Sequence, residues 1–221
     1  MADSTQELVL ARSHEESGLV VWTTDHRAGK GRLQRAWISP KDSGVAVSLL
    51  LHPATRVARD QWTWFSLLLS CAAADVLRSM NVAASVKWPN DVMVGPKKIG
   101  GVLATASGSA LVLGVGLNTS MTLEQRPEER ATSIALEGAS ASDDESLVGE
   151  VLNQFSLLLD QPNWPEIYRK NCLTLGRPVK VMVPNDVIVG EAVDVTETGA
   201  LIVRSTDGDV TINVGDVTHL R

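Results

Sequence analysis

The sequence predicts an α+β fold: a domain of helices and strands over residues 1–175, followed by a small β-barrel over residues 176–221. Three observations predict it. The run from Trp62 to Ala74 carries no charge and reads as a helix buried on most of its faces. From Ser85 to Thr105, apolar runs alternate with turn signals, the signature of paired strands. At Gly176-Arg177-Pro178 the composition changes, and the remainder is Val-rich with closely spaced turns.

Each element follows from local pattern. Residues 4–13 form a short helix with Ser4 as N-cap. Leu19–Thr24 is a strand, a polar basic loop runs from Asp25 to Pro40, and Val45–Leu51 is a second strand. Gln61–Met80 is the apolar helix, with Trp62 and Trp64 in the core. Ser85–Trp88, Asp91–Val94 and Lys98–Thr105 are strands, the last two joined by a tight turn at Gly95-Pro96. Ala110–Leu117 is a further strand. Residues 119–143 read as a polar loop with a short helical turn, closed by the capping-box pattern Ser142-Asp143-Asp144-Glu145. Val148, Val151, Leu152, Phe155, Leu158 and Leu159 then recur with the helical period, and Trp164–Lys170 is another helix. Beyond Val179, turns at Pro184-Asn185-Asp186, Glu197-Thr198-Gly199, Asp207-Gly208-Asp209 and Asn213-Val214-Gly215 delimit four or five short strands.

Composition narrows the function classes. A formal net charge of −6 argues against general nucleic-acid binding, which needs a basic face. No apolar run reaches the roughly 18–20 residues that cross a bilayer, and no signal pattern opens the chain, so a cytoplasmic protein is expected. Cys71 and Cys172 lack CxxC spacing, and His14, His26, His52 and His219 are scattered, so no side-chain metal site or disulfide framework is expected.

The chemistry gathers in three segments. In Ala28-Gly29-Lys30-Gly31-Arg32-Leu33-Gln34-Arg35-Ala36-Trp37, two glycines let the backbone approach a ligand while Lys30, Arg32 and Arg35 supply positive charge. That describes an anion cradle, although a solvated basic loop would share the composition. A Walker P-loop is excluded, because Thr24 stands where its first Gly belongs and Gly31 follows the Lys. In Lys97-Lys98, strand alternation sends one lysine inward and one outward; Lys98, beside Ile99 and Gly100-Gly101, is the inward candidate. Such a lysine holds two anionic reactants together, whereas two solvated hairpin lysines would read alike. Gly114-Val115-Gly116 is a weak dinucleotide signal, since no helix start follows it. Asn118 either faces the same pocket or caps its own turn, and Trp37 either covers a flat ring or packs in the core.

The order of these segments is distinctive: Ser4-Thr5, the basic loop ending in Arg35-Ala36-Trp37-Ile38-Ser39-Pro40, Lys87-Trp88-Pro89-Asn90-Asp91, Lys98-Ile99-Gly100-Gly101, Gly114-Val115-Gly116-Leu117-Asn118 and Ala131-Thr132-Ser133. From Ser4 to Arg221 it resembles the biotin–protein ligases (biotin–[acetyl-CoA-carboxylase] ligases). The resemblance implies a mixed-sheet catalytic domain shared with lipoate ligases and a C-terminal SH3-like barrel. It implies an enzyme that joins biotin to ATP, with Mg²⁺, as biotinyl-5′-adenylate. The biotinyl group then passes to a lysine of a carboxylase's biotin carboxyl-carrier domain. Lys98 and Arg32 would be the catalytic cations. Ser4, Thr5, Gln6, His26, Lys30, Gly31, Arg32, Lys98, Gly100 and Gly101 would hold biotin; Arg35, Trp37, Asn90 and Asn118 would hold the nucleotide. The family includes monomers and homodimers. With no room for a DNA-binding domain before Ser4, the ligase-only type without a nucleic-acid or membrane role is expected.

The chain departs from the family pattern in places. Gln6 replaces Asn, His26-Arg27 replaces Gln-Thr, Lys30 replaces an Arg, and Arg32-Leu33-Gln34-Arg35 is less basic than the usual run. These changes bear on efficiency and adenylate retention. They leave two alternatives: a non-catalytic biotin-binding protein, and a lipoate–protein ligase on the same fold.

Overall fold

A computed structural model describes residues 4–26, 28–32, 35–53, 57–141, 143–184 and 186–220. The sequence readings at Arg27, Leu33, Gln34, Ser142 and Asn185 lie outside the described residues. Helix α1 (Thr5–Leu10) starts where Ser4 caps it, the Ser4 hydroxyl accepting from the Glu7 N–H at 3.4 Å. Strand β1 (Val20–Thr23) follows. Within the basic loop a two-residue ribbon pairs β2 (Gly29–Lys30) with β3 (Ala36–Trp37). Strand β4 (Gly44–Leu51) leads to a 3₁₀ turn at Arg59–Gln61 and helix α2 (Thr63–Ser79). Strands β5 (Ala84–Lys87), β6 (Asp91–Val94), β7 (Lys97–Ser107) and β8 (Ala110–Asn118) come next. Helices α3 (Asp144–Leu159) and α4 (Trp164–Asn171) precede β9 (Arg177–Val183), β10 (Asp186–Val195), β11 (Leu201–Ser205), β12 (Gly208–Ile212) and β13 (Asp216–His219).

The first six long strands form one sheet in the order β1-β4-β8-β7-β6-β5. Every pairing inside it is antiparallel. Its mixed character is confined to two isolated parallel bridges, Val86 with Cys172 and Lys98 with Ala131. One face of the sheet is covered by α2. The uncharged run does what its composition demands: Trp64, Leu67, Leu68, Leu69 and Leu77 are fully buried, packed with Val47, Leu113 and Val115. The other face carries α1, whose Val9 sits against Leu50, Ala110 and Val112. The remainder of that face, beyond the short helix, is left open.

The cap of α3 falls one residue later than the capping box predicts. The Asp143 carboxylate accepts from both the N–H and the hydroxyl of Ser146, at 2.8 and 2.7 Å. An aspartate takes the position because its charge also favours the positive end of the helix.

The C-terminal strands form a five-stranded antiparallel sheet, order β12-β11-β10-β9-β13, with a bulge between Ala192 and Asp194. Its inner residues Val179, Val181, Leu201 and Val203 join the same apolar core as α2 and the large sheet. Trp88 Nε1–H donates to Gly199 O at 3.1 Å and Trp64 Nε1–H to Glu197 O at 2.7 Å, so both indoles reach the β10–β11 turn.

Candidate active site

Glycines clear the open face of the large sheet. In register, Ala46, Gly116 and Gly101 form one row across β4, β8 and β7; Ser48, Gly114 and Leu103 form the next. A Cβ at Gly114 would lie 2.6 Å from Gln6 Oε1, and one at Gly116 would lie 2.9 Å from the Trp37 ring. The absent side chains make room for Gln6 above one row and an indole above the other. The result is a cavity of about 600 Å³. It is walled by α1, the 26–38 loop, the β5–β7 hairpins, residues 127–131 and the C-terminal sheet.

Thr5 and Gln6 close the α1 end. Ser48 Oγ lies 2.9 Å from Thr5 Oγ1 and 3.1 Å from Gln6 Oε1, its single proton shared between those two acceptors, while Gln6 Nε2–H donates to Val112 O at 3.0 Å. His26 stands in the same wall. Both its ring nitrogens are buried and find no hydrogen-bond partner among the described residues. Burial holds its pKa below the ordinary value, so the ring is neutral near pH 7 and presents one donor and one acceptor.

Lys98 faces the cavity and Lys97 faces solvent, where it reaches Glu137 at 3.4 Å. A β-bulge explains the rest. Val92 pairs with Gly100 but Met93 pairs with Lys98, so Ile99 is an extra residue and side-chain parity changes there. Gly101 consequently lies beside Lys98: its Cβ would sit 3.3 Å from Lys98 Nζ. Gly100 turns toward the core, where a Cβ would meet Leu117 Cδ2 at 2.5 Å. Gly100 therefore does not line the cavity, and Ser4, spent on capping α1, does not either. The Lys98 backbone pairs instead with the following loop, its N–H donating to Arg130 O at 2.6 Å and its carbonyl accepting from the Thr132 N–H at 2.9 Å.

The Lys98 ammonium lies 2.5 Å from Asp91 Oδ1 and 5.5 Å from the centre of the Trp37 ring. Lys87 approaches the other Asp91 oxygen at 3.8 Å; burial lowers its pKa, opposed by Asp91. Lys30 is paired with Glu7, Arg35 with Asp216, and Arg32 Nη1–H donates to Gly215 O at 3.2 Å. Burial lowers the Arg32 pKa, against the pull of Asp216 and Asp91, and the guanidinium stays charged. Gly31 N–H donates to Arg35 O at 2.7 Å and holds the loop's turn. Asn90 Nδ2–H donates to Val102 O at 2.7 Å, and the buried Asn118 Nδ2–H donates to Thr132 O at 2.8 Å. Both asparagines line the cavity while bracing its walls.

Twelve of the fourteen residues expected at the site, all but Ser4 and Gly100, thus meet in one cavity. Sequence reasoning missed Lys87, Asp91 and Arg130, and missed the C-terminal wall of Met182, Asp216, Val217 and Thr218. For Lys87 and Asp91 the signal was the hairpin itself; Arg130 and Asp216 carry no local one. The lining holds six cations (Lys30, Arg32, Arg35, Lys87, Lys98, Arg130) against three carboxylates (Asp91, Glu128, Asp216). On a chain of net charge −6, that local excess selects an anionic ligand.

Known proteins are similar to this chain along its length. Residues 1–121 match the model of the "Biotin/lipoate A/B protein ligase family", and residues 174–220 match "Biotin protein ligase C terminal domain". A biotin–[acetyl-CoA-carboxylase] ligase of Mycobacterium tuberculosis is 31% identical, aligned over 99% of this chain and 86% of its own. The bifunctional ligase/repressor BirA of Escherichia coli is 28% identical over 99% of this chain and 72% of its own. Among solved structures, the biotin protein ligase from Aquifex aeolicus in complex with biotin and ATP superposes with a TM-score of 0.82. It is 28% identical, with 99% of this chain and 95% of that chain covered.

Proposed function

The chain belongs to the biotin/lipoate A/B protein ligase family, and from that premise we propose how its cavity performs biotin–protein ligation. The protein is an ATP-dependent biotin–[biotin carboxyl-carrier protein] ligase. It activates biotin as biotinyl-5′-adenylate and passes the biotinyl group to a lysine of a carboxylase's carrier domain. The single observation that carries this reading is the convergence of Lys98 and Arg32, from separate segments, on one cavity with a glycine floor.

The work is positional and electrostatic. Two anions, the biotin carboxylate and the α-phosphate, must meet despite their repulsion. Lys98 and Arg32, with Lys30 nearby, offset that charge so that the carboxylate oxygen attacks phosphorus in line and pyrophosphate leaves. No side chain need serve as a covalent nucleophile. Thr5, Gln6, His26, Gly31 and Gly101 line the biotin end; the neutral His26, a donor and an acceptor on one ring, suits a ureido group. Trp37, Arg35, Asn90 and Asn118 serve the nucleotide. The 26–38 loop then shields the mixed anhydride from water.

Mg²⁺ would arrive with the ATP phosphates, whose charge it screens. Among the described residues no group of three His, Cys, Asp or Glu side chains is placed to hold a metal, whereas Asp91, one of three carboxylates in the lining, would offer an oxygen ligand to a phosphate-bound Mg²⁺. Residues 1–175 would carry the chemistry and residues 176–221 one wall of the site. ATP as a substrate points to the cytoplasm. No helix among the described residues is long and apolar enough to cross a membrane.

The test is pyrophosphate release on mixing with biotin and MgATP, followed by transfer of labelled biotin to a carrier domain. Turnover with biotin and not lipoate is the expected result. Binding of biotin without pyrophosphate release would overturn the reading.

A further inference from the structure

The excess of cations that draws two anions into the cavity repels the ammonium group of an incoming acceptor lysine. Attraction for the acceptor protein must therefore come from surface that lies outside the cavity, close to its mouth, and that does not depend on positive charge. Among the described residues ten large apolar side chains are exposed, and five of them (Met182, Val187, Val189, Val214 and Leu220) lie beyond Arg177, in the smaller C-terminal portion.

Strand register gathers three of the five. Val179 and Val181 of β9 are fully buried, so Lys180 and Met182 face outward. Met182 pairs with Val187 of β10 on one side and Asp216 of β13 on the other; Lys180 pairs with Val189 and Thr218 in the same way. Directly paired residues share a face. Met182, Val187 and Val189, at 58%, 46% and 52% exposure, thus form one outward patch beside the apolar stem of Lys180. Met182 also lines the cavity, as does the exposed Ile38, so the patch begins at an apolar rim and runs from there along β10.

Single exposed apolar residues are ordinary, but a contiguous patch marks a surface that meets a partner. We infer that the outward face of β9 and β10, centred on Met182, Val187 and Val189, docks the acceptor: a folded carrier domain that bears an apolar surface beside its target lysine. Apolar contact supplies the attraction that the positive cavity withholds, and it holds the domain where its lysine reaches the biotinyl carbonyl. The inference rests on the ligase reading and names the surface through which that site meets its protein substrate.

The experiment compares the wild type with the double variant Val187→Ser/Val189→Ser; neither residue lines the cavity. Transfer of labelled biotin is measured at varied concentrations of a biotin carboxyl-carrier domain, and in parallel with hydroxylamine as a small acceptor that needs no docking. The KM for the carrier domain is expected to rise about tenfold, with hydroxylamine-dependent turnover and the KM for MgATP unchanged. Leu157→Ser, which removes an exposed apolar side chain from α3, is expected to change neither. An unchanged KM for the carrier domain in the folded double variant overturns the inference while leaving the ligase reading intact. So does an equal loss with hydroxylamine, which would make the face structural. A dimer that dissociates on substitution, with the KM for the carrier domain unmoved, overturns it in favour of a second copy as the occupant. Absence of hydroxylamine-dependent turnover in the wild type overturns both readings. Should the serine variant not fold, Val187→Thr/Val189→Thr, which keeps β-branched side chains, replaces it; if neither folds, the inference falls.

Discussion

At the scale of single residues, the site works through charge placed where two anions must meet. Lys98 is the clearest case: its ammonium pairs with Asp91, lies over the face of Trp37 and points into the cavity. Lys98→Ala is expected to cut pyrophosphate release by about two to three orders of magnitude with folding unchanged, a loss typical of removing one preorganised group facing developing charge. Near-normal release would sink its role. His26 gives a pH signature. Its pKa is lowered by burial, so the ring stays neutral until the pH falls below its ordinary value of 6.5, and protonation then removes the acceptor and adds a charge. The KM for biotin should rise as the medium is acidified. In His26→Gln, which keeps a donor and an acceptor but does not titrate, the KM should stay flat over the same interval. Parallel pH profiles for the two proteins would refute this assignment.

Among the elements, the β6–β7 hairpin and its neighbour β8 decide the shape of the site. Gly116 leaves the space in which the Trp37 indole rests; a Cβ there would come within 2.9 Å of the ring. Gly116→Val is expected to displace the indole and to raise the KM for MgATP about tenfold or more while the KM for biotin changes less, a split that substrate-varied kinetics reads directly. The hairpin, the cap at Ser4 and the uncharged α2 were legible in the sequence because each is a local pattern. The bulge at Ile99 was not. Alternation predicts Lys98 and Gly100 on one face, and only the pairing with β6 reveals that Gly101 takes that place. The same holds for the α3 cap, where the capping-box spacing from Glu145 points to Ser142 but Asp143 takes the position.

For the whole molecule, what escaped the sequence is the wall that the C-terminal strands contribute, since nothing near Asp216 in the chain announces a partner in the 26–38 loop. Tertiary contact also governs the pH response of stability. The His219 pKa is lowered to about 4 by burial and then by Lys87 and Arg177, while Nε2 sits 3.2 Å from Thr174 Oγ1. The unfolded chain, with an ordinary histidine, binds more protons between pH 6.5 and 4, so this group's contribution to stability is full above that window and is lost as the pH falls through it. His219→Gln is expected to show a shallower loss of Tm on acidification from pH 6.5 to 4 than the wild type; an equal slope by calorimetry would exclude the histidine as the cause. Trp64 and Trp88, reaching out of the N-terminal half to Glu197 and Gly199, carry a last consequence. Neither portion is a portable module: splitting the polypeptide at residue 175 would strip two large aromatic side chains of their cover and strand two indole donors in an apolar setting, so the tail cannot be trimmed as a mere appendage.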